Sequence, residues 1–238
     1  MAPASHDEAL PRRDATAVLI PALNCGATIG AVVSGARQHI GDVLVVSDGS
    51  VDDTAAAAVA AGAQVVRHDA TQGKGAALQT GMRLLAERGF ARVLTMDGDG
   101  QHLSDQIPVL LAASDAEPTA LVIGVRQVAP SLVTPMRGFG NRFANRWVEI
   151  ACGQQLPDTQ SGFRIYPLRA ALALRPRARH FAFETEVLIR AARAGIPIRS
   201  VPVRLYQPPA AERVSHFRPV VDTVRIIFVV LGLIFRLW

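Results

Sequence analysis

Five short apolar runs, each cut off by a polar or glycine-bearing loop, organise the first 124 residues: 16–21 (TAVLIP), 42–46 (DVLVV), 64–67 (QVVR), 92–96 (RVLTM) and 120–124 (ALVIG). Most show no polar alternation, which is how a strand buried on both faces reads. Helix-compatible stretches fill the gaps: 27–39, which has no proline, a run rich in alanine from about 52, 75–88 and 104–113. Strand, short loop and helix in repetition predict a mostly parallel, doubly wound α/β sheet with helices on both faces. A chain of 238 residues, 50% of them hydrophobic, can bury one large core and does not demand two domains. Glycine without a period and two cysteines, Cys25 and Cys152, exclude collagen-like and disulfide-scaffold classes.

In such a sheet the loops beyond the strand C-termini line the ligand crevice. That rule gathers Asn24, Asp48, His68, Asp97, Asp99 and Arg126 on one edge. The first loop, Asn24-Cys25-Gly26, lacks the G-x-G-x-x-G of dinucleotide binding. Gln72-Gly73-Lys74-Gly75 resembles a P-loop fragment without its first glycine and its metal-binding hydroxyl. It reads either as a turn opening a helix or as a phosphate contact through Lys74. Asp97-Gly98-Asp99 is sharper. Two carboxylates one small residue apart, straight after an apolar strand, suit a hard divalent cation such as Mg²⁺ or Mn²⁺, and Gln101 adds a neutral oxygen. The plainer alternative is an unliganded Asp-Gly turn. Asp48 stands at a strand tip ahead of Ser50 and Asp52, which are placed to cap the next helix. It is therefore better positioned to bind a ligand than to cap.

Charge divides the chain. Residues 1–120 carry 8 Lys+Arg against 14 Asp+Glu, whereas 121–238 carry 17 against 6. A basic half suits phosphate, anionic lipid or nucleic acid. Nucleic acid is the poorest fit, because zinc ligands, helix-turn-helix spacing and an RNP-like strand are missing and aromatics make up 5%. A helix is expected over 136–151 with Phe139, Phe143, Trp147 and Ile150 on one face, then a loop over 154–162 containing Asp158. A helix over 183–193, a strand over 198–204 and a last helix after Pro219 follow. Within that helix, 226–235 (IIFVVLGLIF) would measure about 15 Å, half of a bilayer's roughly 30 Å core. Arg218, Arg225 and Arg236 flank it and Trp238 follows, a pattern suited to interfacial attachment. Packing on the domain or a dimer contact is the alternative. Residues 1–15 read as a disordered leader without a signal-peptide core, 16–217 as the folded domain and 218–238 as the apolar helix. Two lone cysteines fit a reducing compartment, so the expected location is cytoplasmic, at the inner face of the cell membrane.

Taken in order, IPALN (20–24), VVSDGSVDDT (45–54), GKGAAL (73–78), MDGDGQH (96–102) and DTQSGFRIYP (158–167) resemble the family-2 glycosyltransferases of the GT-A fold. DGDGQH followed by SGFR is most similar to the branch of dolichyl- and polyprenyl-phosphate sugar synthases. The resemblance implies a single GT-A domain that transfers a sugar, with inversion, from a UDP- or GDP-linked donor to a lipid-linked or other anionic acceptor. It implies donor contacts at Pro21, Asn24, Asp48, Lys74 and Asp97, with the nucleotide base at Asp48. It assigns Asp97, Asp99 and Gln101 to Mg²⁺ or Mn²⁺. Arg126, Arg137, Arg164 and Arg213 are the candidates for acceptor phosphate. Asp99 and Asp158 are the catalytic candidates, with Asp158 as the base if the acceptor is a hydroxyl of a glycan or small lipid. Leu23, Cys25 and Ser47 depart from the aromatic, glutamate and aspartate usual there, which leaves the choice of nucleotide open. A nucleotidyltransferase is a rival without the expected glycine- and arginine-rich first loop, and an inactive sugar-nucleotide or lipid-binding protein is a rival of another class.

Overall fold

The first strand, β1 (Thr16–Ala22), shows why the apolar runs lack alternation. Ala17 to Ile20 are all fully buried, with Ala17 and Leu19 in one hydrophobic cluster and Val18 and Ile20 in the other. Successive side chains of a strand point to opposite faces, so both faces of the sheet are covered. This computed structural model describes residues 15–127, 148–206 and 218–235. The other strands are β2 (Val43–Asp48), β3 (Gln64–His68), β4 (Arg92–Thr95), β5 (Leu121–Arg126), β6 (Arg164–Pro167) and β7 (Ile198–Val203). The helices are α1 (Gly26–Arg37), α2 (Thr54–Ala60), α3 (Lys74–Glu87), α4 (Ile107–Ala116), α5 (Leu168–Ala173), α6 (Ala182–Arg193) and α7 (Pro219–Ile234). Residues of α1, α2 and α4 cover one face and residues of α3, α5, α6 and α7 the other.

The seven strands lie in the order β3-β2-β1-β4-β6-β5-β7. β1 pairs in parallel with β2 and β4, β2 with β3, and β5 with β7. The order reverses between β1 and β4, so the crevice expected at such a switch point opens beyond Ala22 and Thr95. β6 is the exception: it runs antiparallel to both β4 and β5. The sequence pattern predicts no strand there, nor the short helix α5 behind it. Because β6 runs backwards, it starts at the edge where its neighbours end, and this carries the 158–163 loop to the crevice.

The apolar C-terminal helix forms as α7. Ile226, Val229, Val230 and Leu233 join the core, and Arg193 Nη1 donates to Leu233 O at 2.6 Å. Val221, Val224, Phe228 and Phe235 remain exposed, Phe228 by 68% and Phe235 by 66%. Among the described residues no helix is long and apolar enough to cross a membrane. Residues 148–152 are helical, with Val148 buried and Ile150 exposed. The rest of the expected 136–151 helix, including Phe139, Phe143 and Trp147, lies outside the described residues. So do Arg137, Arg213, Arg236, Trp238 and the leader up to residue 14.

Candidate active site

The turn after β4 is built from both sides of the switch point. Thr28 Oγ1, from the first turn of α1, donates to Gly98 O at 2.6 Å. The Asp97 N–H donates to His102 Nδ1 at 2.9 Å, and the His102 ring stacks on Phe163 with centroids 4.9 Å apart. Burial drives the His102 pKa down to about 4, the Asp97 charge only partly offsetting it, so the ring is neutral at pH 7. A neutral ring that accepts at Nδ1 carries its proton on Nε2. MDGDGQH and SGFR, far apart in sequence, are thus joined through His102 and Phe163.

Asp97 and Asp99 differ in environment. Asp97 Oδ1 lies 2.6 Å from Lys74 Nζ, and its side chain is 32% exposed. Burial pushes its pKa up, but the Lys74 ammonium outweighs this and holds the carboxyl well below its usual range. Asp99 has no lysine of its own. Burial first and the Asp97 charge second push its pKa up. Its oxygens accept from Gln101, Oδ1 from the backbone N–H at 3.0 Å and Oδ2 from Nε2 at 2.8 Å. This leaves Oε1 as the remaining acceptor of the Gln101 side chain.

Lys74 lies at the start of α3 between two glycines that the packing requires. Gly73 has φ +102°, and a Cβ there would sit 2.3 Å from His180 Nδ1. Lys74 Nζ also lies 3.1 Å from Glu184 Oε1 on α6 and 5.7 Å from the centroid of the Phe181 ring. Burial lowers the Lys74 pKa, but Asp97 and Glu184 together raise it above the ordinary lysine value. Glu184 escaped the sequence reading. A signal existed, since 183–191 is an apolar helix carrying Glu184 and Glu186, two of only six acidic residues in the second half of the chain. His102 stands out in the sequence only as part of the MDGDGQH motif.

Other expected residues serve different purposes. Asn24 is exposed with φ +48°; its N–H donates to Ser50 Oγ and its Oδ1 accepts from Val51 N–H, so it ties the first two ligand-edge loops together. Pro21 lies within β1 opposite Val46. Asp52 accepts from Thr54 N–H at the start of α2 and from Gly26 N–H at the start of α1. Asp48 is 3% exposed, and its oxygens accept from Gln72 N–H, Gly73 N–H and His68 Nδ1. That carboxylate, expected at the nucleotide base, anchors the loop before Lys74 in this structure.

Arg164, expected at acceptor phosphate, is enclosed by the protein instead. It is fully buried, and its guanidinium donates to the carbonyls of Thr159, Ser161 and Glu184. It staples the 158–163 loop to the start of α6. Arg126 does reach the edge, but its guanidinium pairs with both oxygens of Asp158, Nε to Oδ2 at 2.6 Å and Nη2 to Oδ1 at 2.8 Å. The Arg126 and Gln160 N–H groups also donate to Asp158. Asp158, the residue expected to act as general base, thus has both oxygens taken up by Arg126 in this structure.

The sequence profile described as glycosyl transferase family 2 matches residues 17–173, spanning β1 to α5 and every motif above. The chain belongs to this family. It is a glycosyltransferase. "Glycosyltransferase AglJ" of Haloferax volcanii is 32% identical over 203 residues, 84% of this chain and 66% of that protein, so the chain spans slightly under two thirds of that relative. "Undecaprenyl-phosphate mannosyltransferase" of Micrococcus luteus is 32% identical over 173 residues, covering 68% of this glycosyltransferase and 70% of the relative. The crystal structure of glucosyl-3-phosphoglycerate synthase from Mycobacterium tuberculosis with phosphoglyceric acid superposes with a TM-score of 0.73 at 23% identity. It covers 92% of this chain and 80% of that one, a likeness of fold. The same synthase has been crystallised with Mn²⁺, UDP and glucosyl-3-phosphoglycerate (TM-score 0.72, 22% identity).

Proposed function

We propose that this glycosyltransferase moves a sugar, with inversion at the anomeric carbon, from a nucleoside-diphosphate donor to a polyprenyl-phosphate-like acceptor at the inner membrane face. The observation that carries the acceptor class is the Arg126–Asp158 pair. Transfer to a hydroxyl needs a base near the acceptor, and the loop carboxylate best placed for it is committed to Arg126. A lipid phosphate arrives already ionised and needs none. In the step, an acceptor phosphate oxygen forms a bond to the anomeric carbon while the bond from that carbon to the donor diphosphate breaks. The electron pair leaves with the nucleoside diphosphate. The named polyprenyl-phosphate relatives point the same way.

Asp97 and Asp99 fit Mg²⁺ or Mn²⁺. Burial first and the Asp97 charge second push the Asp99 pKa up, and such ions are held by one or two carboxylates with donor phosphates and water completing the shell. Bound there, the ion supplies charge stabilisation for the departing diphosphate. The chain's own residues do the rest. His102 and Thr28 fix the turn, Gln101 orients Asp99, and Lys74 orients Asp97. The outward face of α7, with exposed Val221, Val224, Phe228 and Phe235 and with Arg218 and Arg225 beside them, is the surface suited to meet anionic lipid.

Calorimetric titration of UDP- and GDP-sugars with and without Mn²⁺ tests the donor and metal together. Binding of one donor class that requires Mn²⁺ in the wild type, lost in a folded Asp99→Ala variant, is expected. Equal binding without metal, or an unaffected variant, contradicts the assignment.

A further inference from the structure

Glu184 is a buried carboxylate in the first turn of α6, where the helix end favours a negative charge without providing a counter-ion. It is 5% exposed, and among the described residues the charged group at its Oε1 is Lys74 Nζ, 3.1 Å away, already paired with Asp97. Taking a carboxylate out of water is costly, and a lysine shared with another acid is weak compensation. Glu186, two residues on, is the contrast. Its Oε2 accepts from the N–H groups of Arg177 and Ala178 and its Oε1 from Arg190 Nε, so it braces the chain ahead of α6.

The backbone is also shaped around the Lys74–Glu184 approach. A Cβ at Gly162 would stand 2.7 Å from both Glu184 Oε1 and Lys74 Nζ and 3.2 Å from Asp97 Oδ1. Arg164, through its bond to Glu184 O, and Thr95, through its bond to Gly162 O, hold the two sides in place. With Asp97, Asp99 and Lys74 alone the group would carry one net negative charge. Glu184 restores the second.

We propose that Glu184 is a positioning residue that acts through Lys74, its charge offsetting the ammonium so that Asp97 and Asp99 offer a divalent cation a net double negative charge. The role rests on the reading of these two aspartates as the metal site. It gives Lys74 a task inside the protein: the ammonium fixes Asp97, and Glu184 keeps it from neutralising the site.

The test is Mn²⁺ titration of the full chain without donor, followed by electron paramagnetic resonance, with thermal unfolding recorded in parallel. Glu184→Gln keeps shape and hydrogen bonding but removes the charge, and should weaken Mn²⁺ binding about tenfold. Glu184→Asp should stay near wild type. The double variant Lys74→Met/Glu184→Gln removes one charge of each sign and should bind Mn²⁺ more tightly than Glu184→Gln even though Asp97 loses its ammonium partner, whereas a purely structural role makes the double variant worse. Glu186→Gln should lower the melting temperature but bind Mn²⁺ as the wild type does. Wild-type affinity in Glu184→Gln, or a double variant no tighter than it, overturns the proposal. Should Glu184→Gln not fold, the double variant is compared with Lys74→Met, which differs from it only by the Glu184 charge: tighter Mn²⁺ binding in Lys74→Met supports the proposal and equal binding overturns it. A wild type that binds no Mn²⁺ overturns the metal reading and this role with it.

Discussion

Arg164 and His102 show how individual side chains set the crevice without reaching into it. Arg164 is a buried cation compensated by three carbonyl dipoles, so it fixes the backbone of the 158–163 loop and of Glu184. His102 receives the Asp97 N–H, and its burial makes folding pH-dependent. Its pKa falls from the ordinary 6.5 to about 4 on folding. Between these values the unfolded chain holds more protons, so stability rises with pH across the window and is lost as pH falls from 6.5 to 4. The full contribution is about 3 kcal/mol. Unfolding free energies in denaturant at pH 7 and pH 4.5 should therefore differ more in the wild type than in His102→Phe, which keeps the ring stack on Phe163. An unchanged pH difference in the variant contradicts a buried neutral histidine. Asp97, Asp99 and Asp158 were legible in the sequence as chemistry-bearing residues because each follows a predicted strand or stands in a loop. Which of them is free and which is paired was not, since Lys74 and Arg126 reach their partners across 23 and 32 residues.

At the level of elements, β1, β2, β4 and β5 were readable because burial on both faces leaves an unbroken apolar run. β6 was not. Its four residues begin with arginine and end with proline, and its place is set by pairing with β4 and β5 rather than by its own pattern. The consequence is functional, since the reversed strand brings the SGF segment against His102 and Lys74. α7 was readable as a helix, but its division between core and surface required the fold. Its sixteen residues span about 24 Å, short of a bilayer core. Phe228→Glu replaces an exposed side chain, so it should leave the melting temperature nearly unchanged while clearly reducing flotation with liposomes of anionic lipid. Flotation equal to wild type excludes this face as the lipid contact.

Across the whole molecule, the split between an acidic first half and a basic second half takes on structure. Asp97 and Asp99 lie at the switch point, whereas Asp48 anchors the loop before α3. Of the second-half arginines, Arg126, Arg164 and Arg190 are committed to internal partners. The crevice joins the two halves through Lys74–Glu184 and His102–Phe163. This arrangement suits a donor held beside the β4 turn and an acceptor approaching from the β6 side. The most direct measurement is transfer of radiolabelled sugar from UDP- and GDP-linked donors to undecaprenyl phosphate in vesicles, with Mn²⁺ or with EDTA, alongside undecaprenol lacking the phosphate. Labelled product is expected only with Mn²⁺ and the phosphorylated lipid; equal labelling of the free alcohol, or transfer undiminished by EDTA, would contradict a metal-dependent enzyme that uses an anionic acceptor.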